Sequence, residues 1–153
     1  MASVASRRDQ SVDIVERVSF QAYEEGNLAV IDELVSEDFA LYDPLSPDVI
    51  RGRDGMKGHI EENRTTFSDI ETTIEHLICE DEWCAVHFTF RGTHTGEYPG
   101  IDIEPSGATV TVEGMEFDRV EDGKLVETRL LYDTLGLMEQ LGVVSETDLA
   151  DSS

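Results

Sequence analysis

The chain has 153 residues, 39% hydrophobic and 29% charged, with 34 Asp+Glu against 11 Lys+Arg and a formal net charge of −23. That length is a prior for one domain, and about 70% of its unfolded surface can be buried without help from a metal or a disulfide. No apolar run approaches the roughly 20 residues of a membrane span. A polyanion repels nucleic acid and anionic lipid alike. The stretch from Met1 to Arg8 lacks the apolar core of an export signal, which predicts a cytoplasmic location.

Several long periodic apolar segments argue for a folded domain with an acidic surface over a disordered acidic chain. Lys57 and Lys124 are the only lysines; the other basic residues are arginines. An acid-rich, lysine-poor surface suits concentrated salt, where self-repulsion is screened, and predicts a halophilic host.

The polar ends, residues 1–10 and 145–153, are predicted to fray, leaving a single domain over 11–144. Val12, Val15, Val18, Ser19 and Ala22 recur at helical spacing, and Gly26 stops the helix. Asn27 can cap a second short helix carrying Leu28, Ile31, Leu34 and Val35. Phe39 to Tyr42 reads as a short strand, ended by Asp43-Pro44 and a loop with Ser46 and Pro47. Met56, Ile60, Asn63, Arg64 and Phe67 outline a third helix beginning near Asp54.

Alternation then replaces helical spacing, with strands expected at Ile70–Cys79, Trp83–His94, Thr109–Val120 and Leu125–Tyr132. Cys79 and Cys84 flank a predicted turn; a disulfide is geometrically possible, but without an export signal two thiols are expected. The stretch Thr95–Ala108 is too long for a hairpin turn and predicts a lid or a subunit contact. Asp122-Gly123 is a strong hairpin signal. A last helix spans Thr134 to Leu141, before Gly142. This order predicts an α+β fold: a curved antiparallel sheet with helices on one face, enclosing a cone-shaped ligand cavity.

Gly92-Thr93-His94-Thr95-Gly96-Glu97-Tyr98-Pro99-Gly100-Ile101, then Glu121-Asp122-Gly123-Lys124-Leu125-Val126-Glu127, then Asp133-Thr134-Leu135-Gly136-Leu137-Met138-Glu139-Gln140-Leu141-Gly142 together resemble the SnoaL-like polyketide cyclases of the NTF2-like superfamily. Asp38-Phe39 and Asp43-Pro44 fit too, and the resemblance runs from about residue 12 to 143. With its acidity, the chain resembles a haloarchaeal-type member. The resemblance implies a cone-shaped α+β barrel, a homodimer or homotetramer built on the outer sheet face, and cofactor-free, metal-free aldol ring closure on a hydrophobic carbonyl compound. The family's catalytic aspartate and histidine align on Leu130 and Glu116, so both are substituted.

Glu116 is the first catalytic candidate, since burial can raise a carboxyl toward neutrality. Its direction depends on the hairpin. A two-residue turn sets it opposite Arg129 in a surface ion pair, whereas a three-residue loop sets it opposite Thr128, beside Leu130 on the cavity face. Tyr132 shares that face, for a ligand or for packing. Asp133 caps the last helix or lines the cavity mouth. His94 orients a ligand or holds the following loop. His59 lies at the mouth or exposed. Asp43 starts a turn or borders the pocket. His87 belongs to the outer face if Val86 and Phe88 face inward. Three functions remain open: a proton-transfer cyclase or isomerase, a non-catalytic ligand-binding or oligomerisation module, and an epoxide hydrolase. The last needs an Asp-Arg-Asp set, for which Arg129, Asp118 and Asp133 are the candidates.

Overall fold

A computed structural model describes residues 4–145. Helix α1 (Val4–Arg17) runs on into a wider π-helical segment, Val18–Glu24. Residues 4–10, expected to fray, are therefore helical. The expected C-terminal tail lies outside the described residues beyond position 145. Gly26 ends the segment with φ +75°, where a Cβ would also meet the Arg64 guanidinium at 2.7 Å. The Asn27 side chain then accepts the Ala29 amide at the start of α2 (Ala29–Leu34).

Strand β1 (Val35–Tyr42) is longer than its apolar core suggested and pairs with a two-residue strand, β2 (Ile50–Arg51), that alternation is too short to reveal. After α3 (Gly52–Thr66) come β3 (Phe67–Glu80), β4 (Trp83–His94), β5 (Thr109–Glu121) and β6 (Lys124–Tyr132), then α4 (Thr134–Gln140). The six strands form one sheet in the order β2-β1-β6-β5-β4-β3. Every pairing is antiparallel except β1 with β6. Helices α1 to α3 pack on the concave face through Ile14, Val18, Val30, Ile31, Met56 and Ile60 against Phe39, Leu41, Val120 and Leu125.

The β5–β6 hairpin corrects both expected registers. Asp122 (φ 49°) and Gly123 (φ 74°) make a two-residue turn closed by Glu121 opposite Lys124. One rung further in, a bulge adds Val126 to β6, so Arg119 faces Glu127 and Glu116 faces Leu130. Inward rows now read Cys84–Asp118–Thr128, Val86–Glu116–Leu130 and Phe88–Gly114–Tyr132 across β4, β5 and β6. Gly114 keeps the third row open: a Cβ there would stand 2.6 Å from Phe88 Cζ and 2.9 Å from Tyr132 Cβ.

Cys79 and Cys84 are joined by a disulfide, correcting the expected thiols. The β3–β4 register places them directly opposite each other on the inward side, with Cα atoms 4.0 Å apart. They pack with Val15 and Val86 beneath α1.

Candidate active site

Between the helices and the concave sheet face lies a cavity of about 480 Å³, within the usual range for small-molecule sites. Its walls are largely apolar, with Leu41, Met56, Ile74, Val86, Phe90 and Val112 among them. Two hydrogen-bonded clusters of titratable side chains stand among them.

The first lies on the sheet. Glu116 and Asp118, two residues apart on β5, both point inward because strand side chains alternate. The Glu116 carboxyl donates to Asp118, which also accepts from Thr128 Oγ1 at 2.6 Å. Burial pushes both carboxyls above their ordinary range, Glu116 strongly so, and the neighbouring Asp118 charge raises Glu116 further. Two carboxyls in contact in an apolar pocket cannot both ionise without repulsion, so the pair retains a shared proton carried mainly by Glu116.

The second group gathers five segments of the chain. His59 of α3 meets Asp43 Oδ2 through Nε2 at 3.0 Å, and its Nδ1 lies 3.0 Å from the hydroxyl of Tyr23. Tyr132 of β6 donates to Asp43 Oδ1 at 3.0 Å and is itself hydrogen-bonded to Tyr98 from the long loop. Asp43 thus collects a bond from His59 on one carboxylate oxygen and from Tyr132 on the other, and the Tyr23 hydroxyl holds the far side of the imidazole. Burial works to raise the Asp43 pKa, yet the bonds from His59, the Leu45 amide and Tyr132 outweigh it and hold the carboxyl below the ordinary range. The Leu45 bond, 2.9 Å, is the expected Asx turn, so Asp43 starts the turn and borders the cavity at once. Burial raises the phenols of Tyr23 and Tyr132, and brings Tyr98 to about 12. The negative charges of the Glu116–Asp118 pair and of Asp43 also raise Tyr23, so this tyrosine stands between the two groups.

Glu116, Leu130, Tyr132, Asp43, His59 and Thr128 thus all line the cavity. His94 and Asp133 do not. His94 is fully buried behind Phe67 and Tyr98, where Nδ1 accepts the amide and hydroxyl of Ser106 and so pins the end of the long loop. Asp133 caps α4, accepting the Gly136 amide at 2.9 Å. The expected Asp-Arg-Asp set does not converge. Asp118 points inward, Asp133 sits at the cap, and Arg129 lies outside, its guanidinium 4.1 Å from the Tyr42 ring centre. Without an arginine in the cavity wall, epoxide hydrolysis by that set has no geometric basis.

Tyr23 and Tyr98 are site residues that the sequence reading does not name as such, and Asp118 is a candidate there only for the Asp-Arg-Asp set, not as the partner of Glu116. Parity with Glu116 is a signal that would have found Asp118. Tyr23 and Tyr98 carry no such signal, because a π-helical turn and a loop bring them in. The loop contributes Tyr98, Pro99 and Gly100 to the wall as a cover. It is tied down where the Thr95 and Gly96 amides reach the Thr66 carbonyl and Thr66 Oγ1 reaches the Glu97 carbonyl.

Among the described residues no cluster of three or more His, Cys, Asp or Glu side chains is placed to hold a metal, and no helix is long and apolar enough to cross a membrane.

Helices over one face of a strongly curved sheet, with an apolar cavity holding a few acid/base groups, define the NTF2-like cone. The SnoaL-like polyketide cyclase profile matches residues 13–141, and the chain belongs to that family. A proposed SnoaL-like polyketide cyclase from Jannaschia sp. CCS1 superposes with a TM-score of 0.82 over 95% of this chain and 98% of its own, at 20% identity. TsrD from Streptomyces laurentii is 27% identical, with a TM-score of 0.78 over 90% and 98% of the two chains. IdmH from Streptomyces antibioticus, a proposed polyketide cyclase, is 25% identical, with a TM-score of 0.71 over 86% and 97%. No match was found among curated proteins.

Proposed function

We propose that this chain is an acid/base enzyme of the SnoaL type that catalyses a proton-transfer cyclisation or isomerisation of a hydrophobic carbonyl compound. The carrying observation is the Glu116–Asp118 pair, with Asp118 buried and Glu116 half-buried, facing an apolar cavity. A carbon acid beside a carbonyl must lose a proton while its oxygen gains negative charge. The shared proton lets one carboxyl donate a hydrogen bond to that oxygen and the other accept the proton. Glu116, whose carboxyl faces the cavity and is the more strongly raised, is the proton carrier. Asp118, held by Thr128, is the group against which it titrates. A positioned acid/base of this kind contributes about 10²–10⁴-fold. Where the resemblance puts the family's aspartate this chain has Leu130, so the chemistry is assigned to Glu116 opposite it on the neighbouring strand. Tyr132 and Tyr23 orient the substrate, and the cover over Tyr98 excludes water.

The test is deuterium exchange at the α-carbon of 2-acetylnaphthalene, followed by NMR in D₂O. The wild type exchanges it faster than buffer and Glu116→Gln does not. Binding without exchange in the wild type would favour a ligand-binding module instead.

For assembly, we propose a homodimer through the outer sheet face. Ile78, Met115, Phe117 and Leu131 there are 68%, 60%, 56% and 71% exposed, in an otherwise strongly acidic protein. His87 lies on this face as its register implies, stacked on His76 and bonded to Glu113. A cytoplasmic location in a salt-rich cell fits the same acidic surface.

A further inference from the structure

The charges lining the cavity are unbalanced. Asp43, Asp48, Glu62, Glu116 and Asp118 reach its wall, whereas no lysine or arginine among the described residues does. Asp43 has its own partners in His59 and Tyr132. Among the described residues the Glu116–Asp118 pair has only Thr128 and itself as partners: two carboxyls in contact that share one proton keep one negative charge, and no lysine or arginine lines the cavity beside them. A buried anion without a counter-charge is costly, and the one direction left open to it is the cavity. Aromatic rings face the same space from both sides, Phe88 and Tyr132 from the sheet and Tyr23 from the helices. Their electron-rich faces favour a cation and disfavour an anion.

We infer that the cavity selects an apolar carbonyl compound bearing a protonated amine near the reacting carbonyl, and rejects free carboxylates and phosphates. This deepens the proposed function and rests on it. The ammonium would supply the counter-charge that the wall lacks, pairing with the Glu116–Asp118 anion while the rings cover its alkyl substituents. The same positive charge would steady the enolate oxygen during proton removal, a role for which the wall holds no lysine or arginine among the described residues. A carboxylate or phosphate in that place would face the pair directly and gain no partner.

The test is calorimetric titration of the full chain, at one fixed ionic strength, with three probes of one skeleton: 2-naphthylmethylammonium, 2-naphthylmethanol and 2-naphthoate. The ammonium binds at least about tenfold more tightly than the alcohol, the size of a desolvated cation–π or charge-assisted contact, and the carboxylate binds most weakly. In Glu116→Gln/Asp118→Asn the advantage of the ammonium over the alcohol disappears while the alcohol still binds. A carboxylate that matches the ammonium, an ammonium no better than the alcohol, the absence of binding by any probe, or an order that survives the double variant overturns the inference. The wild-type order is decisive even if the double variant does not fold. Failure of the charge order with Glu116-dependent exchange intact removes this inference alone. Loss of exchange with the order intact removes only the catalytic reading.

Discussion

Substituting Glu116 by Gln tests the shared proton through folding stability, independently of any substrate. Gln has the shape of the protonated side chain, and its amide can still donate to Asp118. In the wild type the folded state holds a proton on Glu116 that the unfolded chain releases above its ordinary value of 4.5. The folded pKa is raised, so the stabilisation is complete below that value and is lost as pH climbs toward the folded pKa. With one more proton bound in the native state, stability falls by about 1.4 kcal/mol per pH unit across this window. The variant has no such titration, and the contributions of Asp118 and of the exposed acids largely cancel between the two proteins. Its stability relative to the wild type should therefore rise by about 1.4 kcal/mol per unit from about pH 5 upward, levelling off at the folded pKa. Urea denaturation at fixed high ionic strength, in steps to about pH 8, reads this difference directly. A difference that stays flat, or a variant destabilised equally at every pH, would falsify a buried, protonated Glu116.

Four further outcomes follow from the fold. Cys84→Ala opens a short cross-linked loop, and chain entropy alone makes that a loss of about 2 kcal/mol, measurable by denaturation with and without reductant. Gly114→Ala drives a methyl into Phe88 and Tyr132; overpacking should cost about 1–3 kcal/mol in the same assay and weaken binding of the naphthyl probes. Leu131→Asp puts a charge in the middle of the outer apolar patch and should convert the proposed dimer to a monomer in sedimentation, with the helical and strand signals of circular dichroism unchanged. Dilution below about 0.5 M salt, where screening of the acidic surface weakens, should unfold the wild type, and full stability in dilute buffer would argue against adaptation to salt.

The element types and most strand limits are written locally. Strand β4 begins at Trp83 and ends at His94 as its alternation predicts, and Asp122-Gly123 makes the turn its two residues favour. Asp133 caps α4 because a side-chain oxygen at that position is all the cap requires. Such features depend on neighbours a few residues apart, and so the fold and its family could be read from the chain itself.

The site depended on partners far apart in sequence. Strand side chains have a period of two, so the single bulge at Val126 decides what stands opposite Glu116, and composition does not announce a bulge. Register likewise set Cys79 against Cys84 and overrode an expectation drawn from compartment. The bonds from Tyr23 to His59 and from Tyr132 to Asp43 span 36 and 89 residues. The sequence alone determined where the main helices, the long strands and the hairpin turn lie, because backbone preference and side-chain spacing act over short range. Only tertiary packing decided that Glu116 meets Asp118 in an apolar cavity and that His94 holds a loop instead of lining that cavity. A side chain's direction, burial and ionisation are properties of the neighbours that folding brings to it.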